Sequence, residues 1–134
     1  MVNEAEMLLL RNSLSKPGGS WELDVFILPA PIGPKSGRPY FPLCFLAVEK
    51  KQGIVIGNQM DKPWITLSQQ REAIIQILKN AGQIPRSIRV KSKKVKEILE
   101  PIATSLGINL QIGATPLLEE FKASLDNYLS GYGP

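Results

Sequence analysis

The hydrophobic period changes near Thr66. Before that point, apolar residues alternate or run together over short stretches. After it, they recur every three to four residues, interrupted by two short alternating segments. This pattern implies a sheet begun by consecutive strands and extended by strand–helix units.

Before Thr66, the stretch from Asn3 to Leu14 reads as a short helix through Met7, Leu8, Leu10 and Leu14, and "SKPGGS" ends it. "WELDVFIL" places Trp21, Leu23, Val25 and Ile27 on one face and Glu22 and Asp24 on the other. It is expected to be a strand, half exposed at its start and buried on both faces at its end. The segment Pro29 to Pro42 holds five prolines and two glycines, so it is a stiff loop or extended arm that Ile32, Tyr40 and Phe41 can anchor. "LCFLAVE" and "IVIG" are the second and third strands, and the turn "KKQG", with Gly53 suited to positive φ, makes them an antiparallel hairpin.

After Thr66, a helix carries Ile74, Ile77, Leu78 and Ala81, with Thr66 and Gln69 as a capping box and Gly82 at the C-cap. "SIRV" is a strand. The next stripe is Val95, Ile98, Leu99, Ile102 and Leu106, capped by Ser92 and ended by Gly107. Pro101 inside it predicts a kink or a later start. "INLQI" is a strand. Thr115 and Pro116 open a last helix through Leu118, Phe121, Leu125 and Leu129, ended by Gly131.

The expected fold is therefore α/β. A mixed sheet forms from an antiparallel three-strand meander and two parallel βα units, in the order βββαβαβα, with an extra N-terminal helix. One domain over 1–134 is expected, with helix and linker in 1–19 and the core in 20–134. From Trp21 to Tyr128 this order resembles the ribonuclease H-like fold, in which strand one is central, strands two and three lie to one side and strands four and five to the other. Separately, "GRPYFPLCFLAVEKKQG" and "PRSIRVKSKKVKEILEPIATSLGINL" are similar to uncharacterised bacterial domains of unknown function.

The ribonuclease H-like resemblance implies a carboxylate site. Active members hold two divalent metals on acids from strand one, the first crossover helix, the end of strand four and the last helix. The two metals flank an in-line attack on phosphate. In this sequence Asp24 matches the first position, Glu72 the second, and Glu119 or Glu120 the last. Lys91 or Ser92 stands at the end of strand four, where an acid is needed. A lysine there puts positive charge where cations would bind, so no bound metal or cofactor is expected.

Composition narrows the chemistry further. There is no histidine, which removes the usual general base and the Ser-His-Asp and Cys-His arrangements. The single cysteine, Cys44, lies in an apolar run and reads as a buried, inert thiol. "PAPIGPKSG" lacks the spacing of a phosphate-binding loop. The longest apolar run, Phe41 to Val48, is far too short to cross a membrane. The N-terminus carries acids where a signal peptide has a basic region, so a cytoplasmic location is expected.

Charge is concentrated in one place. The chain has 16 basic and 12 acidic residues, and "RSIRVKSKKVK", Arg86 to Lys96, holds six basic residues and no acid. Strand alternation puts Arg89 and Lys91 on one face; with strands one and four as neighbours, they share it with Glu22 and Asp24, where opposite charges across strands give about 0.2–1 kcal/mol. Lys93, Lys94 and Lys96 fall at a helix start, where the macrodipole disfavours cations by roughly 0.3–1 kcal/mol each.

Three functions follow as expectations. The first is a noncatalytic interaction or scaffold module with a protein partner on the arm Pro29 to Pro42. The second is phosphate-backbone binding through Arg86, Arg89, Lys91, Lys93, Lys94 and Lys96, without the aromatic platforms that read single strands. The third is a nuclease remnant using Asp24, Glu72 and Glu120.

Overall fold

The computed structural model describes residues 4–13, 17–29, 31 and 38–130. Its elements are α1 (Glu4–Ser13), β1 (Pro17–Ile27), β2 (Leu43–Glu49), β3 (Ile54–Asp61), α2 (Leu67–Ala81), β4 (Ile84–Val90), α3 (Lys93–Leu106), β5 (Asn109–Ile112) and α4 (Pro116–Ser130). The strands form one sheet in the order β3-β2-β1-β4-β5. β1 is antiparallel to β2, β2 is antiparallel to β3, and β4 and β5 continue parallel to β1. This is the mixed sheet expected from the sequence, with the ribonuclease H-like strand order.

Alternation along β2 assigns the two faces. Phe45 and Ala47 join Trp21, Leu23, Ile88 and Val90 beneath α1, α2 and α3. Cys44, Leu46 and Val48 point the other way and meet Leu118 of α4. β2 is therefore apolar on both faces because each face is covered by helix. At Gly57 of β3 an added Cβ would lie 2.7 Å from Ile77 Cγ2, so α2 sits on the sheet only because that side chain is missing. The β2–β3 register shifts between Ala47 and Val48, a bulge near the middle of the edge strand.

The helix ends follow the sequence closely. Thr66 and Gln69 form the capping box of α2, and Ser92 accepts from the N–H of Val95 at the start of α3. Gly82 and Gly107 close these helices at φ 71° and 70°. α3 starts at Lys93 and runs through Pro101, so the later start is not adopted. Proline at 101 cannot donate to the carbonyl of Glu97. The Arg71 guanidinium of α2 supplies that donor instead, with Nη2 3.1 Å from the Glu97 carbonyl and Nε 3.0 Å from that of Ile98.

Three expectations change. β1 begins at Pro17, inside the stretch read as a linker, because Gly18 approaches the backbone of β4 closely. An added Cβ would lie 3.2 Å from the Ile84 carbonyl oxygen and 3.2 Å from Pro85 Cα. The burial of β1 runs opposite to expectation. Trp21 to Asp24 are buried, whereas Ile27 is half exposed, because α4 docks over the middle of the strand. The cap of α4 also differs: the N–H of Leu118 donates to Oε1 of Glu22 (3.0 Å), not to Thr115. Leu14, Ile32 and Gly131 lie outside the described residues.

Candidate functional site

The second face of the sheet carries the polar chemistry. Among the described residues, the buried polar or charged ones are Glu22, Asp24 and Thr115, all at the seat of α4. β1 brings Glu22 and Asp24 there by alternation. α4 lays Leu118, Phe121, Lys122 and Leu125 over them at helical spacing, so a lysine falls within the apolar stripe.

Lys122 forms an ion pair with Asp24, and its Nζ is 3.8 Å from Glu119 Oε1. It also lies 4.6 Å from the centre of the Phe26 ring, in cation–π geometry. Lys91 reaches from the end of β4 to Glu119 Oε1 at 3.0 Å. The result is a chain of alternating charge: Asp24, Lys122, Glu119, Lys91. The hydrogen bond from Lys91, aided by the charges of both lysines, holds the Glu119 carboxyl below its ordinary value. Nearby, burial pushes the Cys44 thiol up to about 11; the Asp24 charge adds to this and Lys122 opposes it.

Glu22 is fully buried. Its Oε1 caps α4, while Oε2 and the Thr115 hydroxyl oxygen have no hydrogen-bond partner among the described residues. A carboxylate at a helix N-terminus gains about 0.3–1 kcal/mol from the macrodipole. The register sets Glu22 beside Arg89, as alternation predicts. The ion pairs that form are nevertheless those of Asp24 with Lys122 and of Lys91 with Glu119. The helix, not the neighbouring strand, supplies the partners.

The acids drawn from the resemblance do not all converge. Asp24 and Glu119 meet through Lys122. Glu120 is exposed on the next position of α4, beside Gly53, Leu117 and Ser124. Glu72 is exposed on α2, a helix of the opposite face. Among the described residues no group of three or more His, Cys, Asp or Glu is placed to hold a metal ion. Two ammonium groups occupy the carboxylates that do approach, and this donor set does not fit a pair of divalent cations.

The basic segment is dispersed by its own geometry. Arg86 is exposed at the start of β4, Arg89 and Lys91 face α4, and Lys93 and Lys94 are exposed at the start of α3 with Lys96 half-buried. Of the arm, Pro31, Arg38 and Pro39 are exposed, and Phe41 is half exposed. Tyr40 packs edge-on against Trp64 with ring centres 5.3 Å apart, and the Leu28 N–H donates to the Pro42 carbonyl at the arm's base. No helix among the described residues is long and apolar enough to cross a membrane.

Lys122 and the burial of Glu22 were not anticipated from the sequence. Lys122 was visible as a charge inside the stripe Leu118, Phe121, Leu125. The burial of Glu22 had no local signal, since alternation alone places it on a polar face.

Residues 7–126 match the family model described as "Domain of unknown function (DUF6930)". The chain belongs to this family. No curated protein matches the DUF6930 sequence. Solved structures similar to it include the catalytic core domain of HTLV-2 integrase in complex with magnesium, at TM-score 0.60 and 20% identity, over 88% of this chain and 74% of that one. A chain of the simian T-cell lymphotropic virus intasome aligns at TM-score 0.61 and 17% identity over 87% of this chain. The catalytic core of BIV integrase aligns at TM-score 0.55 and 17% identity over 81%. The DUF6930 chain spans 41% of that intasome chain and 64% of the BIV core. At these identities the likeness is one of fold, and the fold is ribonuclease H-like.

Proposed function

We propose that this DUF6930 domain is a noncatalytic interaction module on a ribonuclease H-like frame. One observation carries the reading: Lys122 and Lys91 neutralise Asp24 and Glu119, the two acids that approach each other. In-line phosphoryl transfer needs cations at such acids to stabilise the attacking and leaving oxygens. Here the carboxylates are bound by the protein's own ammonium groups. The arm between Pro29 and Pro42 is the proposed contact surface. Tyr40 packs against Trp64 while Pro39 and Phe41 are exposed, and a proline-rich segment suits a partner with an aromatic-lined groove.

A thermal melt with and without millimolar Mn²⁺ tests the reading. A functional metal site raises stability by mass action, about 2.7 kcal/mol at a hundred times the dissociation constant. No shift is expected. A clear upward shift that Asp24→Asn abolishes would make the nuclease reading the leading one.

The exposure of Lys93, Lys94 and Arg86 supports a second reading, phosphate-backbone contact through Arg86–Lys96. Titrating a labelled oligonucleotide at two salt concentrations separates the two. Backbone binding weakens steeply with salt, whereas the module reading expects no binding at either concentration.

A further inference from the structure

α4 is attached to the sheet differently from the other helices. Its fully buried apolar contact is Leu118, supported by partly buried Leu117 and Phe121 against Cys44, Leu46, Val48, Phe26 and Leu28. The rest of its attachment is polar: the Glu22 cap, the Asp24–Lys122 pair, and the contacts of Glu119 with Lys91 and Lys122. Even this anchor is incompletely bonded, since Glu22 Oε2 and the Thr115 hydroxyl lack partners among the described residues. On the outer side of α4, an apolar cavity of about 260 Å³ runs between Phe121 and Leu125 of the helix and Cys44, Leu46 and Met60 of the sheet. The seat of α4 is thus open along one edge. α4 follows all five described strands, so lifting it leaves the pairing of that sheet intact.

We propose that α4 is a strap, latched to the sheet by the Asp24–Lys122 and Lys91–Glu119 pairs, that opens while the core beneath α1–α3 stays folded. Opening exposes the strip Cys44, Leu46 and Val48 on β2.

The molecule carries its own reporter, because Cys44 is the chain's single cysteine and lies under the strap at 5% exposure. The test is the rate of Cys44 modification by a thiol reagent in the full chain, at constant pH. Partial opening is expected to give a rate that exceeds the global unfolding rate and changes little at low denaturant. Raising NaCl from about 0.05 M to about 0.5 M screens the exposed Lys91–Glu119 pair, and the buried Asp24–Lys122 pair much less, and should speed labelling about two- to threefold. Lys122→Met should speed it about tenfold or more, since it leaves Asp24 without its partner. Lys79→Gln, which breaks the Lys79–Glu6 pair of α2 with α1, should leave it unchanged. If Lys122→Met does not fold, amide exchange of α4 in the wild-type chain at the same two salt concentrations decides. Strap opening accelerates α4 with salt and leaves α3 protected. Labelling that follows global unfolding in rate and denaturant dependence, or that ignores salt, would overturn the proposal.

Discussion

On the first face of the sheet, Trp21, Leu23, Phe45, Ile88 and Val90 meet α1, α2 and α3 through apolar side chains. On the second face, α4 meets β1 and β2 through four buried apolar residues together with Glu22, Asp24, Lys122 and Glu119. Apolar burial is non-directional and strong, so the first face supplies stability. Ion pairs gain little net energy but hold one geometry, since each buried charge left unpaired is costly. The second face therefore fixes the orientation of α4 more than it adds to stability.

The comparison breaks most sharply at paired leucines. Leu99, fully buried on the first face, should cost about 2–5 kcal/mol as Leu99→Ala. Leu46 borders the open cavity on the second face, so its truncation should fall at or below the low end of that range. Urea denaturation of both variants measures the difference. Equal losses would mean that the two faces are equally well packed.

A charge deletion comes next. Lys122→Met should cost roughly 3 kcal/mol, because Asp24 is left buried without its partner. Adding Asp24→Asn should recover a large part of it. A double variant no more stable than the single one would show that the lysine acts through its stem on Phe26 rather than through its charge.

A backbone repair on the first face ranks third. Arg71→Met removes the donors to the Glu97 and Ile98 carbonyls, and an unmet buried acceptor costs about 1–3 kcal/mol. The bond to Glu97 is exposed and that to Ile98 only partly buried, so the low end is expected. A melting temperature equal to wild type would show that water replaces the guanidinium.

A smaller effect concerns acid. The Glu119 carboxyl sits below its ordinary value of 4.5, first through the Lys91 hydrogen bond. A carboxyl depressed in the folded state contributes stability that is complete above its unfolded value and is lost as pH falls through the folded one. Wild type should therefore lose melting temperature more steeply than Lys91→Met as pH drops below 4.5. Parallel curves would remove the Lys91–Glu119 contact from the account of this face.

The smallest change is expected from replacing Lys93, Lys94 and Lys96 together with glutamine. Cations at the start of α3 are disfavoured by roughly 0.3–1 kcal/mol each, less where solvent screens them, so stability should hold or rise slightly. A fall of several degrees would reveal structural partners for these lysines.

The strand order was legible because its causes are local. The Gly53 turn forces a hairpin, and helical stripes ending at Gly82 and Gly107 force crossovers. The start of β1 was not, because Pro17 to Gly19 become strand only through pairing with Ile84 and Pro85, remote in sequence. The site was half legible. Asp24 and Lys91 could be placed from strand positions. Their actual partners depend on how α4 crosses the sheet, and no residue pattern within β1 or β4 encodes that angle.

The bond between Arg71 and the α3 carbonyls has a consequence for the order of assembly. Pro101 leaves α3 unable to complete its own ladder, so its middle turns stay frayed in an isolated fragment. They become fully bonded only when α2 is already helical and alongside. The two helices should then appear together during refolding, with little accumulation of α3 alone, although Ser92 gives it a sound start. A proline that weakens one helix on its own thereby ties the formation of that helix to its neighbour.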